Sequence, residues 1–196
     1  TTYDLVDIEN INVIKFDMLG LRTMSIMKEL RDITDSDHYF NYDLLNDEKI
    51  YEEFGKANTD GIFQFEAKGA KNILKEIECD CYQDVIAASA LNRPGPLSLG
   101  MVEEYANVRN GIKEKNHKDN IFFQYADDTY GTFVYQEQIM KVCTELGGMT
   151  WAEADKVMKF LKSGSGMTEK ALEIKMQEEE KLTNKFVEGA SKKGIK

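Results

Sequence analysis

Proline is nearly absent: two residues in 196, both in Arg93-Pro94-Gly95-Pro96, so elsewhere no ring interrupts a helix. Cysteine is sparse and odd in number. Cys79 and Cys81 stand two apart and Cys143 is distant, which excludes a disulfide framework and suits reduced thiols. With His38 and His117 as the two histidines, Cys79-Asp80-Cys81 lacks a second ligand pair, and a zinc site is excluded on the same ground. No run of about 18 apolar residues occurs, which excludes a helical membrane span. Thr1-Thr2-Tyr3-Asp4 carries no basic flank ahead of an apolar stretch, so no signal peptide is read and the expected location is cytoplasmic. Basic residues are outnumbered, 25 against 35 acids. The net charge of −10 excludes a surface that is basic throughout, as a nucleic-acid platform would be, and leaves room for a local basic patch inside a cleft. What remains is ordinary for a globular chain: 42% hydrophobic and 31% charged residues.

Along the chain, Asn12-Val13-Ile14-Lys15-Phe16-Asp17-Met18-Leu19 has a β-branched, apolar start and reads as a strand stopped by Gly20. Leu21, Met24, Met27 and Leu30 then recur every three residues on a helix. Thr34-Asp35-Ser36-Asp37-His38 is a loop, and Asn46 caps a helix over 47–54 that Gly55 ends. Ile62-Phe63-Gln64-Phe65 is a short alternating run, and Phe63 and Phe65 are both assigned to the core. Helices are expected over 68–77, 82–91 and 101–109, with a rigid Pro-Gly-Pro turn between the last two and a charged loop at 113–119 after them. The later half is more strongly helical. Ile139, Val142, Cys143 and Leu146 form one stripe and Trp151, Ala154, Val157, Met158 and Leu161 another. Ser163-Gly164-Ser165-Gly166 is a break, after which Thr168 caps a long helix to about Ala190. The expected class is mainly α with a small β portion. Because one strand cannot stand alone, the chain reads as cut from a larger protein.

Five segments in this order resemble the core of the C-family replicative polymerases, the bacterial-type DNA polymerase III alpha subunits. They are Lys15-Phe16-Asp17-Met18-Leu19-Gly20-Leu21-Arg22-Thr23; Gly61-Ile62-Phe63-Gln64-Phe65-Glu66; Leu91-Asn92-Arg93-Pro94-Gly95-Pro96-Leu97; Tyr130-Gly131 with Val134-Tyr135-Gln136-Glu137-Gln138; and Phe186-Val187-Glu188-Gly189-Ala190 with Gly194-Ile195. Five in register, with spacers of similar length, make the resemblance specific. It implies a palm edge over residues 1–20 and part of the fingers over 21–196, a helical region attached to a palm-edge strand. The implied activity is DNA-directed DNA polymerisation, extending a primer on a template from deoxynucleoside triphosphates, with magnesium as cofactor. Implied partners are primer-template DNA and, through regions outside this chain, a sliding clamp and other replisome subunits.

The resemblance assigns Asp17 as one of three palm carboxylates that hold two magnesium ions. Nucleotidyl transfer builds negative charge on phosphate oxygens, and two divalent ions held by hard oxygen ligands clamp the attacking and departing atoms. Lys15, on the same strand face, resembles a family lysine that contacts the triphosphate; Arg22 is a weaker candidate. The family's fingers carry adjacent arginines just after a Glu-Ala-Asp segment. Here Glu153-Ala154-Asp155 is followed by Met158-Lys159 at the matching positions, a departure. Lys156, Lys159 and Lys162 keep a basic row, which reads either as a triphosphate contact without the bidentate fork of arginine or as a solvated helix face. Tyr135 and Gln136 resemble residues set against the nascent base pair, the alternative being an aromatic in the core. Arg93 is read first as part of an architectural turn and second as a phosphate or template contact.

The family's Asp-x-Asp pair has no counterpart before Asp17, and Asp35-Ser36-Asp37 has the spacing in the wrong place. One carboxylate cannot hold two magnesium ions usefully, so the isolated chain is expected to be inactive and to bind metal weakly. Two other readings stand beside the polymerase. One is a non-catalytic helical interaction domain on a degenerate polymerase scaffold; the other is a different phosphotransferase using Asp17 with Asp35 and Asp37.

Overall fold

The structure is a computed structural model that describes residues 8, 11, 16, 18–36, 42–114, 121–162 and 169–195, without the side chains of 42, 43, 162 and 169–175. Nine α-helices carry the described chain: α1 (Arg22–Thr34), α2 (Glu48–Gly55), α3 (Lys68–Glu76), α4 (Tyr82–Leu91), α5 (Pro94–Ser98), α6 (Met101–Arg109), α7 (Gln136–Glu145), α8 (Trp151–Lys162) and α9 (Glu169–Lys192). Short 3-10 turns occur at Tyr42–Asn46, Phe123–Tyr125 and Asp127–Thr129. The chain forms two compact units, Thr1–Leu44 and Leu45–Lys196.

The expected β portion is corrected. Among the described residues there is no strand, so the class is helical and the palm-edge strand is unsupported. Phe16 and Met18 to Gly20 have no regular structure; Asn12 to Lys15 and Asp17 lie outside the described residues. An extended segment needs a partner for its backbone N–H and C=O groups, and no described segment supplies one. The alternating run Ile62–Phe65 is likewise a turn, closed by Ile62 N–H to Thr59 O (3.1 Å) and Phe65 N–H to Ile62 O (3.0 Å). Alternation over four residues is too short to force a strand when local turn bonds compete.

In the first unit α1 stands where a helix is expected, but none of its residues is buried, and the stripe Leu21, Met24, Met27 and Leu30 is exposed rather than turned to a core. Within the second unit, α2 starts one residue later than expected because Asp47, rather than Asn46, accepts the Lys49 N–H (3.0 Å). The Pro-Gly-Pro segment opens the short helix α5 instead of remaining a turn, since proline fits the first helical positions, where no N–H is required.

The second unit has two cores. Ala70, Ile73, Leu74 and Ile77 from the α3 segment meet Ala87, Ala88 and Leu91 of α4, and Val102, Tyr105 and Ala106 of α6, with Phe65 and Cys79 from the connections. Cys143 of α7, Met149 and Ala154 of α8 form the other, joined by the half-buried Val157, Leu182 and Phe186. No described helix is long and apolar enough to cross a membrane.

Candidate functional site

On α4, positions 84, 87, 88 and 91 are all buried, the i, i+3, i+4, i+7 stripe of a core-facing helix, yet the first of them is an aspartate. Asp84 is 1% exposed. It is satisfied from three sides: by the Arg109 guanidinium (Nε to Oδ1 3.1 Å, Nη2 to Oδ2 2.6 Å), by the Tyr105 hydroxyl (3.2 Å) and by the Asp80 N–H (3.2 Å). Burial alone would raise its pKa, but the hydrogen bonds from Arg109 and Asp80 and the guanidinium charge hold it below the usual carboxylate range. The same Nη2 reaches Asp80 Oδ1 at 2.7 Å, and Asn110 donates to Glu76 O at 3.0 Å, so α3, α4 and α6 are tied together around one buried ion pair. Asp80, Cys81 and Asp84 are close enough to suggest a metal centre. They do not fit one: both carboxylates are engaged by Arg109, and a thiol is a poor partner for a hard cation such as magnesium.

Gln138 organises the start of α7. Its Oε1 accepts the N–H groups of Val134 and Tyr135 (both 2.9 Å), and its Nε2 donates to Thr129 Oγ1 (2.7 Å) and Asp128 Oδ1 (3.1 Å). Thr129 passes the bond on to Thr132 O at 2.6 Å. Tyr135, half-buried at the cap position, is fixed by this amide, and burial holds its hydroxyl proton more tightly than usual. Gln136 is exposed in the first turn of α7.

Between α7 and α9 the backbones touch. A Cβ placed on Gly189 would fall 1.9 Å from Gly147 O, and one on Gly147 would fall 2.4 Å from the Phe186 ring. The segment Phe186–Ala190 is therefore a packing seam. Across α8, the Glu153 carboxylate accepts from Lys185, from the Thr150 N–H (2.9 Å) and from the Thr150 hydroxyl (3.0 Å). Those bonds, Lys185 first, lower its pKa to about 2. A groove of about 610 Å³ lies between α8 and α9, lined by Lys156, Lys181 and Lys185 and by Glu153, Glu178, Glu180 and Glu188 among others. Three lysines against four glutamates leave it slightly acidic, a poor trap for a triphosphate by itself.

The expected site residues are thus dispersed. Lys156 lines the groove; Lys159 stands on the exposed side of α8 beside Asp155 (3.0 Å); Lys162 ends α8 with its side chain outside the described part. Met158, 6% exposed, occupies the buried side, where an apolar group fits better than a cation. Arg93 is exposed ahead of α5, and the groove lining includes neither it nor Tyr135 or Gln136. Lys15, Asp17, Asp37, His38 and His117 lie outside the described residues. Phe65 is core as expected, but Phe63 is not; it is 54% exposed. The Asp84–Arg109 pair escaped the sequence reading.

Among the described residues the second unit is helical, held by a buried ion pair and a glycine seam, with the lysine-bearing helix α8 packed beside α9. The chain belongs to the family described as the bacterial DNA polymerase III alpha subunit finger domain, which matches residues 23–194. It is 33% identical over 204 residues to the DNA polymerase III subunit alpha of Aquifex aeolicus, covering 99% of this chain and 16% of that relative. Identity to the same subunit of Pseudomonas aeruginosa is 35% over 212 residues, covering 100% of this chain and 17% of the relative. For Escherichia coli it is 33% over 210 residues, with the same two shares, 100% and 17%. The chain spans about a sixth of the length of these relatives.

Proposed function

We propose that this chain is the palm edge (residues 1–20) and part of the fingers (21–196) of a DNA-directed DNA polymerase that extends a primer from deoxynucleoside triphosphates. The family match over residues 23–194 carries the reading. In it, Asp17 supplies one of the carboxylates for magnesium, which would neutralise charge developing on the phosphate oxygens. In the family the other two carboxylates form an Asp-x-Asp pair, which this reading takes from the rest of the full-length protein. Lys15 and the row Lys156, Lys159 and Lys162 contact the triphosphate, supported by the exposure of Lys156 and Lys159 on α8. Tyr135, whose N–H is held by Gln138 at the start of α7, and the exposed Gln136 beside it face the nascent base pair. Primer-template DNA and replisome subunits such as a sliding clamp are the partners.

In the full-length protein, Lys156→Ala with Lys159→Ala is expected to raise the nucleotide KM about tenfold while changing kcat less, as loss of ground-state phosphate contacts does. Steady-state primer extension over a range of nucleotide concentrations reads the split. An unchanged KM returns the lysine row to a solvated helix face.

A further inference from the structure

Gln138 is buried, and its amide uses all four of its hydrogen-bonding places inside the protein. Oε1 accepts from the N–H groups of Val134 and Tyr135, and the two protons on Nε2 go to Thr129 Oγ1 and Asp128 Oδ1. Chemistry dictates this orientation. Two N–H groups need an acceptor, and the Thr129 hydroxyl, whose one proton goes to a backbone carbonyl (Thr132 O, 2.6 Å), can only accept from Gln138. With all four places taken, the amide has nothing left to offer a nucleotide, so it acts on one only through what it holds.

What it holds is a connection that its own residues do not favour. Tyr130 takes φ 56°, left-handed for a residue with a side chain, and the Thr132 hydroxyl is buried with no hydrogen-bond partner among the described residues. Such features persist where the surroundings over-determine them. The bonds of Gln138 supply that constraint: they join the turn Asp127–Thr129 to the start of α7 and fix the Tyr135 peptide, extended at φ −110° and ψ 144° just before the helix. Closing the helix end needs the bond to Tyr135 alone. The other three reach back to residues 128, 129 and 134 and hold the whole approach to Tyr135.

We propose that Gln138 is a positioning residue for nucleotide selection, holding Tyr135 and the exposed Gln136 against the nascent base pair without touching it. The inference rests on the polymerase reading, in which Tyr135 faces that pair. A displacement of about 1 Å at a substrate-positioning group can cost about a hundredfold in rate, so a fully bonded amide behind such a group controls selectivity at a distance. An amide is required, since Gln138→Glu would keep both N–H bonds but set a carboxylate against Asp128 and leave Thr129 Oγ1 without its donor.

Single-nucleotide primer extension by the full-length protein, with the matched and with a mismatched deoxynucleoside triphosphate, tests the role. Gln138→Met is expected to raise the KM for the matched nucleotide and to narrow the ratio of matched to mismatched kcat/KM about tenfold. That ratio does not depend on how much of the protein is folded, so a merely structural role leaves it unmoved. Gln138→Glu should narrow it as well, and adding Asp128→Asn should recover part of it, because the exchanged pair again sets a donor against an acceptor. Since Gln138 acts through Tyr135, Gln138→Met in a Tyr135→Ala background should leave the ratio where Tyr135→Ala alone puts it. A wild-type ratio in Gln138→Met, or effects of the two substitutions that multiply, overturns the positioning role while extension by the wild type upholds the polymerase reading. Wild-type protein that never extends a primer removes both.

Discussion

Asp84→Ala is expected to cost about 3–5 kcal/mol of folding stability, the range for breaking a buried pair by removing one partner. The reason lies in what remains. The Arg109 side chain is 10% exposed, and its next carboxylate, Asp80, is 74% exposed and cannot replace the two-oxygen contact. Tyr105 and the Asp80 N–H lose their acceptor at the same time, inside the core built by α3, α4 and α6. Urea unfolding reads the loss, and Arg109→Met in the Asp84→Ala background should recover part of it, since two apolar groups leave no orphaned charge. The pair also sets an acid limb. Asp84 has its pKa depressed in the folded state, so its contribution is present above the unfolded-state value and is lost as pH falls through the lower folded value. Stability of the wild type should therefore drop in acid more steeply than that of Asp84→Ala. A variant that unfolds at the wild-type urea midpoint contradicts this account of the core.

Gly189→Ala is the second large effect. In the middle of an exposed helix this substitution stabilises, by up to about 1 kcal/mol. Here the sign reverses, because the added methyl lands 1.9 Å from Gly147 O, backbone that cannot swing aside as a side chain would. Relief requires α9 to lift away from the turn after α7, opening the contact of Phe186 with Cys143, Met149 and Ala154. A loss of about 3 kcal/mol, the upper end for overpacking, lowers Tm by roughly 10 °C in a chain of this size. A thermal melt with Tm at or above that of wild type would show that the seam is not close-packed.

The helices were legible because their apolar residues repeat at helical spacing: α4 and α6 run over the expected residues, α3 ends one residue early, and α8 spans the stripe from Trp151 to Leu161. Two ends of the α8 stripe, Trp151 and Leu161, are exposed all the same, since periodicity identifies a face and not what covers it. The expected strand rested on β-branched residues alone, and a strand is a property of a pair of segments. Asp84 reads in sequence as a first-turn acid favoured by the helix dipole. Its position on the same stripe as Ala87, Ala88 and Leu91 was the available signal that it is buried and needs a cation, but nothing local points to Arg109, 25 residues on. Phe63 and Phe65 have the same spacing to any core. Only the left-handed backbone at Gln64 distinguishes them, and glutamine does not announce such a turn. For the site, the order of five motifs indicated the family, whereas Met158 marked a departure whose physical meaning, a buried side of α8, needed coordinates.

In the proposed reading, Asp17 serves nucleotidyl transfer in the protein to which this chain belongs. The most direct measurement is primer extension with magnesium by the full-length protein carrying Asp17→Asn, a change that keeps size and removes the charge a divalent ion requires. The rate is expected to fall on the order of a thousandfold with the thermal melt unchanged. Extension at the wild-type rate would contradict the assignment of Asp17.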